Sequence, residues 1–117
     1  MRPNSLKAFK PYLLDMLDRI ARIRQYTDGF DYSAFYADDK TSDAVIRNIE
    51  IIGEAVRHVP EHVRQKYPDI QWRQIAGMRD KLIHDYLGVD LEYVWNVASN
   101  RLDELEAAIK RVLQDFE

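Results

Sequence analysis

Cysteine is absent from this sequence of 117 residues. That removes disulfides, thiol nucleophiles and thiolate metal sites together, and it fits a reducing compartment. Glycine and proline are few, four of each, and several of them punctuate helices. No apolar run approaches the roughly 18 residues that a membrane span needs, and Met1 to Lys7 holds no apolar core of signal-peptide length. A cytoplasmic protein with no membrane contact is therefore expected. An excess of positive charge is also missing: 17 Lys and Arg stand against 20 Asp and Glu, for a net charge of −3. This argues against coating nucleic acid by bulk charge, but a local basic cleft stays open. What remains is ordinary globular composition, 46% hydrophobic and 32% charged, at a length that predicts one domain over residues 1–117.

The apolar spacing is helical throughout, and no segment alternates as a strand would. Leu6, Phe9, Leu13, Met16, Leu17, Ile20 and Ile23 recur at three and four, which predicts a helix from Leu6 to about Tyr26 with Asp15–Arg19 and Asp18–Arg22 on its wet face. Asp28-Gly29 ends it. The aromatic stretch from Phe30 to Tyr36 reads as a helical turn or packed loop plugging one end of the core, and Asp38, Asp39, Thr41 and Ser42 all offer caps for the next helix, expected over about Asp39 to His58. Its seam is Val45, Ile49, Ile52, Val56 and Val59, and Gly53 beside that seam implies a close approach by another helix. Arg47, Glu50, Glu54 and Arg57 share a face, readable as a solvated ion-pair ladder or as the polar wall of a cleft.

Pro60 suits the first position of a two-turn helix ending before Pro68. His58 and His62 flank Pro60; a metal pair there lacks a third ligand, and surface histidines are the simpler reading. A third long helix is expected from Gln71 or Trp72 to Gly88, with Arg79 on its inward side. The last runs from an Asp90 cap, stapled by Val89 and Val94, through Leu91, Val94, Ala98, Leu102, Leu105, Ile109, Val112 and Phe116. The sum is an all-α antiparallel bundle of four main helices with one or two short ones.

Chemistry concentrates in Arg79-Asp80-Lys81-Leu82-Ile83-His84-Asp85-Tyr86. A guanidinium offers a permanently charged fork that fits phosphate, and imidazole both takes and gives a proton near neutral pH. Together they suffice to cleave a phosphodiester with no metal and no cofactor. Residues five apart on an ideal helix are separated by about 140°. Arg79 and His84 therefore meet at one phosphate only if the helix ends or distorts near His84, or if a second subunit supplies its copy across a twofold axis. Asp80, one turn before His84, is placed to hold its imidazole. Taken blind, the same pattern also fits surface decoration, or an arginine satisfied by Glu50 or Glu54.

The segment Arg79 to Tyr86 resembles the Arg-x4-His-x-Tyr signature of HepT-like toxins, a branch of the HEPN superfamily. Arg47 to Ala55 resembles that family's second-helix segment. Trp72 with Ile75 to Arg79 resembles its lead-in to the motif, and Val89-Asp90 with Val94-Trp95 the start of its last helix. The resemblance implies a HEPN-like fold and a metal-independent endoribonuclease, built as a homodimer or an assembly of dimers. In it Arg79 would bind the scissile phosphate and His84 would act as general base or acid, leaving a 2′,3′-cyclic phosphate. It further implies that Tyr86 is AMPylated by a partner, a minimal nucleotidyltransferase antitoxin, which silences the toxin. The substrate would be RNA such as tRNA or mRNA. On a protein of net negative charge this requires focused local charge, from Arg73, Arg79 and Lys81, or a small structured substrate. The alternative is a non-catalytic helical subunit that binds nucleotide or partner within a nucleotidyltransferase complex. Glu50 and Glu54 are candidates for supporting the site.

Overall fold

The computed structural model describes residues 6–82 and 88–116. Within them lie eight helices: α1 (Leu6–Thr27), α2 (Tyr32–Ala37), α3 (Asp39–Val56), α4 (Glu61–Arg64), α5 (Trp72–Ala76), α6 (Met78–Leu82), α7 (Leu91–Asn100) and α8 (Leu102–Phe116). The fold is all-α, as expected.

The two seams read from spacing are the centre of the core. On α1, Phe9, Leu13, Met16, Ile20 and Ile23 are buried, and on α3 so are Val45, Ile49, Ile52 and Val56, with Val59 just beyond. Contacts across the pair run in opposite directions along the chain. Tyr12 stacks on His58, while Arg19 donates to the buried Asn48 side chain at 3.3 Å. The two helices are therefore antiparallel. The same logic holds for α8, since Phe116 meets Phe9 edge to face and Glu106 pairs with Arg24 at the other end. Both expected ion pairs on α1 are present, Arg19 with Asp15 at 3.3 Å and Arg22 with Asp18 at 2.9 Å.

Caps decide several boundaries. Of the four candidates before α3 it is Asp38 that acts, its carboxylate accepting from the Thr41 N–H at 3.0 Å. That bond to the ionised form holds the Asp38 carboxyl below its ordinary value. Asp31 caps α2 by accepting from Ala34, and buried Phe35 plugs the core against Trp95 as expected. Arg64 reaches back to close the other end of α3, donating to the Val59 and Val56 carbonyls at 3.0 and 2.8 Å, so orphan carbonyls at that terminus are satisfied. Pro60 is the cap residue of α4 with extended ψ of 150°, not its first helical position, and the helix is a single turn.

Two expected long helices are interrupted. The third breaks at Gly77 into α5 and α6, and the last breaks at Arg101 into α7 and α8. At Gly77, ψ is −1°, and the next bonds are the i+3 kind, Asp80 N–H to the Gly77 carbonyl. Gly53 explains where the junction rests: a Cβ on Gly53 would sit 3.3 Å from the Ala76 carbonyl oxygen and 3.4 Å from that of Ile75. The close approach read from Gly53 is thus made by backbone. Asp90 caps α7 as expected, accepting from Tyr93 at 3.1 Å, but Val89 stays 39% exposed beside a fully buried Val94, so the staple does not close. Gly88 has φ of +121°, a conformation open to glycine.

Candidate active site

The break at Gly77 resets which residues of the motif face inward. Met78 and Leu82, one turn apart, become the buried pair of α6, while Arg79, Asp80 and Lys81 are exposed. The expectation that Arg79 lies on the inward side is corrected by this shift of phase. Its side chain is 52% exposed, with Nε 3.8 Å from Glu50 Oε2, beyond hydrogen-bond reach. Asp80 is exposed. His84 and Tyr86 lie outside the described residues, so the site is assembled here from its other members. The ends of that segment are tied, because the Asp90 N–H donates to the Leu82 carbonyl at 2.8 Å.

Arg79 opens onto a cleft of about 290 Å³ between α1, α3 and α6. Its floor is one face of α3, where Arg47, Glu50, Glu54 and the following His58 recur at three and four, and α1 adds Tyr12 and Asp15. The wall reading of this face is therefore right for Arg47, Glu50 and Glu54, whereas Arg57 does not line the cleft. Spacing alone made the solvated ladder the simpler reading; what favours the wall is the α5–α6 junction resting on Gly53 and carrying Arg79 across the face.

Among the described residues, Arg19, Arg22, Arg24, Arg64, Arg101 and Arg111 spend their guanidinium groups on carboxylates, an amide or carbonyls. Arg47, Arg57, Arg73 and Arg79 make no hydrogen bond there, and of these Arg47 and Arg79 line the cleft. Among the described residues the one close charge on Arg79 is Glu50, half-buried and loosely placed, and such a pair binds weakly. Two uncommitted guanidinium groups over one cavity can accept a phosphodiester. Of the carboxylates there, Asp15 is already engaged by Arg19.

Two lining residues escaped the reading of the sequence. His58 is exposed, as expected, but it stacks flat on Tyr12, ring centroids 4.1 Å apart and planes 2° apart, and it lines the cleft. Tyr12, 36% exposed between buried Phe9 and Leu13, was the available signal, an aromatic ring on a face that should be wet. His62 sits on α4 with its Nε2 buried and without a hydrogen-bond partner. Among the described residues no group of three or more His, Asp or Glu is placed to hold a metal ion.

Residues 16–112 match the family described as Ribonuclease HepT-like. A "Putative RNase" of Methanocaldococcus jannaschii is 41% identical over 108 residues, covering 92% of this chain and 93% of that protein. A "Putative RNase" of Caldanaerobacter subterraneus is 38% identical, over 93% of this chain and 97% of its own length. The "Probable ribonuclease HepT" of Thermococcus cleftensis is 38% identical over 91% and 96%. No solved structure matches. The matched interval contains the whole of the Arg79 motif and the α3 wall, and on this similarity along nearly its full length the chain belongs to the HepT-like ribonuclease family.

Proposed function

We propose that the protein is the endoribonuclease toxin of a toxin–antitoxin pair, working in the cytoplasm as a homodimer and cleaving RNA without a metal. The observation that carries the reading is the half-exposed Arg79 guanidinium, free of hydrogen bonds to the described residues, over an open cleft. Arg79 binds the scissile phosphate and stabilises the charge that grows on it, an interaction that strengthens in the transition state. His84 accepts the 2′-hydroxyl proton as that oxygen attacks phosphorus. The bond from phosphorus to the 5′-oxygen breaks, the departing oxygen takes a proton, and a 2′,3′-cyclic phosphate remains. With one such histidine per chain, a twofold axis that joins two motifs supplies both base and acid. Asp80, four residues before His84, orients its ring.

The reading extends to regulation. A nucleotidyltransferase antitoxin transfers AMP from ATP to the hydroxyl of Tyr86, seven residues from Arg79 in sequence: the tyrosine oxygen bonds to the α-phosphorus, its proton is lost and pyrophosphate leaves. The added phosphate competes for the arginine and repels RNA by charge and bulk.

The test is cleavage of total tRNA and a model messenger in EDTA by wild type, Arg79→Ala and His84→Ala. Wild type is expected to leave cyclic phosphate ends, and each variant to lose roughly a hundredfold or more in rate. Equal cleavage by all three overturns the assignment. Inactivity of a wild-type protein whose Tyr86 peptide carries no added AMP by mass does so too, and returns the cleft to nucleotide binding without cleavage.

A further inference from the structure

On the side of α6 away from Arg79 lies a second, larger depression of about 620 Å³, between α4, α5 and α6. Arg79 and Lys81 are two residues apart, hence about 200° apart around a helix, and they line different cavities accordingly. This groove is the reverse of the molecule in charge. Its lining holds three cationic side chains, Arg64, Arg73 and Lys81, against one carboxylate, Glu61, in a protein of net charge −3. Arg64 is consumed in closing α3. Arg73 and Lys81 are exposed and have no ion pair among the described residues.

The rest of the lining is neutral and polar. Gln65, Gln71 and Gln74 bring amides that both donate and accept, over a floor of buried Trp72 and Ile70. Arg73, Gly77 and Lys81 follow one another at four-residue intervals. The two cations thus stand on either side of the α5–α6 junction, with bare backbone at Gly77 between them. Unpaired cations at a fixed separation, neutral amides and a gap without a side chain suit a chain of phosphates and sugars better than a single small anion.

We propose that this groove binds the RNA backbone away from the point of cleavage, as an anchoring site that sets affinity and not chemistry. It rests on the ribonuclease reading above. An RNA strand with its scissile phosphate at Arg79 crosses α6 and lays further phosphates on Arg73 and Lys81. This also answers how a protein of net negative charge holds RNA: the groove is locally cationic, with three basic side chains against one carboxylate.

Binding and cleavage are measured separately. A short labelled RNA with every 2′-hydroxyl methylated lacks the nucleophile, so its anisotropy reports affinity alone. Wild type, Arg73→Glu/Lys81→Glu, and the charge-matched control Lys40→Glu/Lys110→Glu are titrated across a salt series. Loss of two phosphate contacts is expected to weaken binding roughly tenfold near physiological salt and to reduce the slope of log K against log salt by about 1.4. The control should stay close to wild type. On cleavable RNA the groove variant should raise KM and leave kcat unchanged. Equal affinity and slope for groove variant and control overturn the anchoring site, whatever the cleavage result; absence of cleavage by wild type instead strikes the ribonuclease reading.

Discussion

Arg79 and Glu50 frame the chemistry at the scale of the residue. Their 3.8 Å contact, with Arg79 half in solvent and Glu50 28% exposed, contributes little to folding, about 0–1 kcal/mol for such pairs. Its larger effect is on the cleft: Glu50 offers Arg79 a carboxylate in the place a phosphate would take. Glu50→Gln keeps the shape and removes the competing charge. The expected outcome is a change in stability below about 1 kcal/mol by urea unfolding, with RNA affinity strengthened several-fold. Affinity that falls instead would make Glu50 a part of the binding machinery and not a placeholder. Tyr12 and His58 belong to this scale as well. Their stack is a contact between residues 46 positions apart, so neither helix pattern could announce it.

Between elements, the decisive contact is backbone against backbone. Gly53 lets the α5–α6 junction settle onto α3, and that junction aims Arg79 over the α3 wall. Gly53→Leu should force the junction away and cost about 2–3 kcal/mol, the scale of overpacking a tight interior, read as a lower urea midpoint. Gly53→Ala is a finer probe, because the gain of roughly 1 kcal/mol in helix propensity opposes a displacement of a few tenths of an ångström in carbonyls that cannot rotate aside. Its stability should stay near wild type while cleavage falls, since Arg79 moves with the junction. The same contact marks the limit of what spacing reveals. Seams on α1, α3 and α8 were legible because one continuous period decides which residues are buried. The breaks at Gly77 and Arg101 were not, because apolar residues continue at helical intervals on both sides: Ile75, Met78 and Leu82 across one, Ala98, Leu102 and Leu105 across the other. The phase error at Gly77 is what turned an exposed Arg79 into an expected inward one. The motif itself was legible as chemistry, and Gly53 as a close approach. The place of His58 in the cleft was not, because it lies past the end of α3, where periodicity no longer places a side chain.

At the scale of the whole molecule, polar contacts between distant segments set the pH range in which the bundle is stable. On the acid side two carboxyls lie below their ordinary value of 3.8, Asp38 through its bond from the Thr41 N–H and Asp69 through its hydrogen bond to Arg111. Depressed folded values mean stability that is complete above the ordinary carboxylate range and is lost as pH falls through the folded values. On the alkaline side, burial and the hydrogen bond it donates to Asp115 at 2.8 Å push the Tyr67 hydroxyl from 10.0 up to about 12. The sign is the opposite one. The unfolded chain releases this proton first, so the contribution is whole below pH 10 and disappears as pH rises through about 12. Tyr67 ties the turn after α4 to α8, with Arg111 over its ring, so its ionisation loosens the closure of the last helix on the first half of the chain. Thermal unfolding followed from pH 2 to 12 should give a plateau with a fall at each end. Asp38→Asn should flatten part of the acid fall and lower the plateau. Tyr67→Phe, which keeps the buried ring and removes the hydroxyl, should lower the plateau by about 1 kcal/mol for the lost hydrogen bond and remove part of the decline above pH 10. An alkaline decline that survives unchanged in Tyr67→Phe would place that loss of stability in another group.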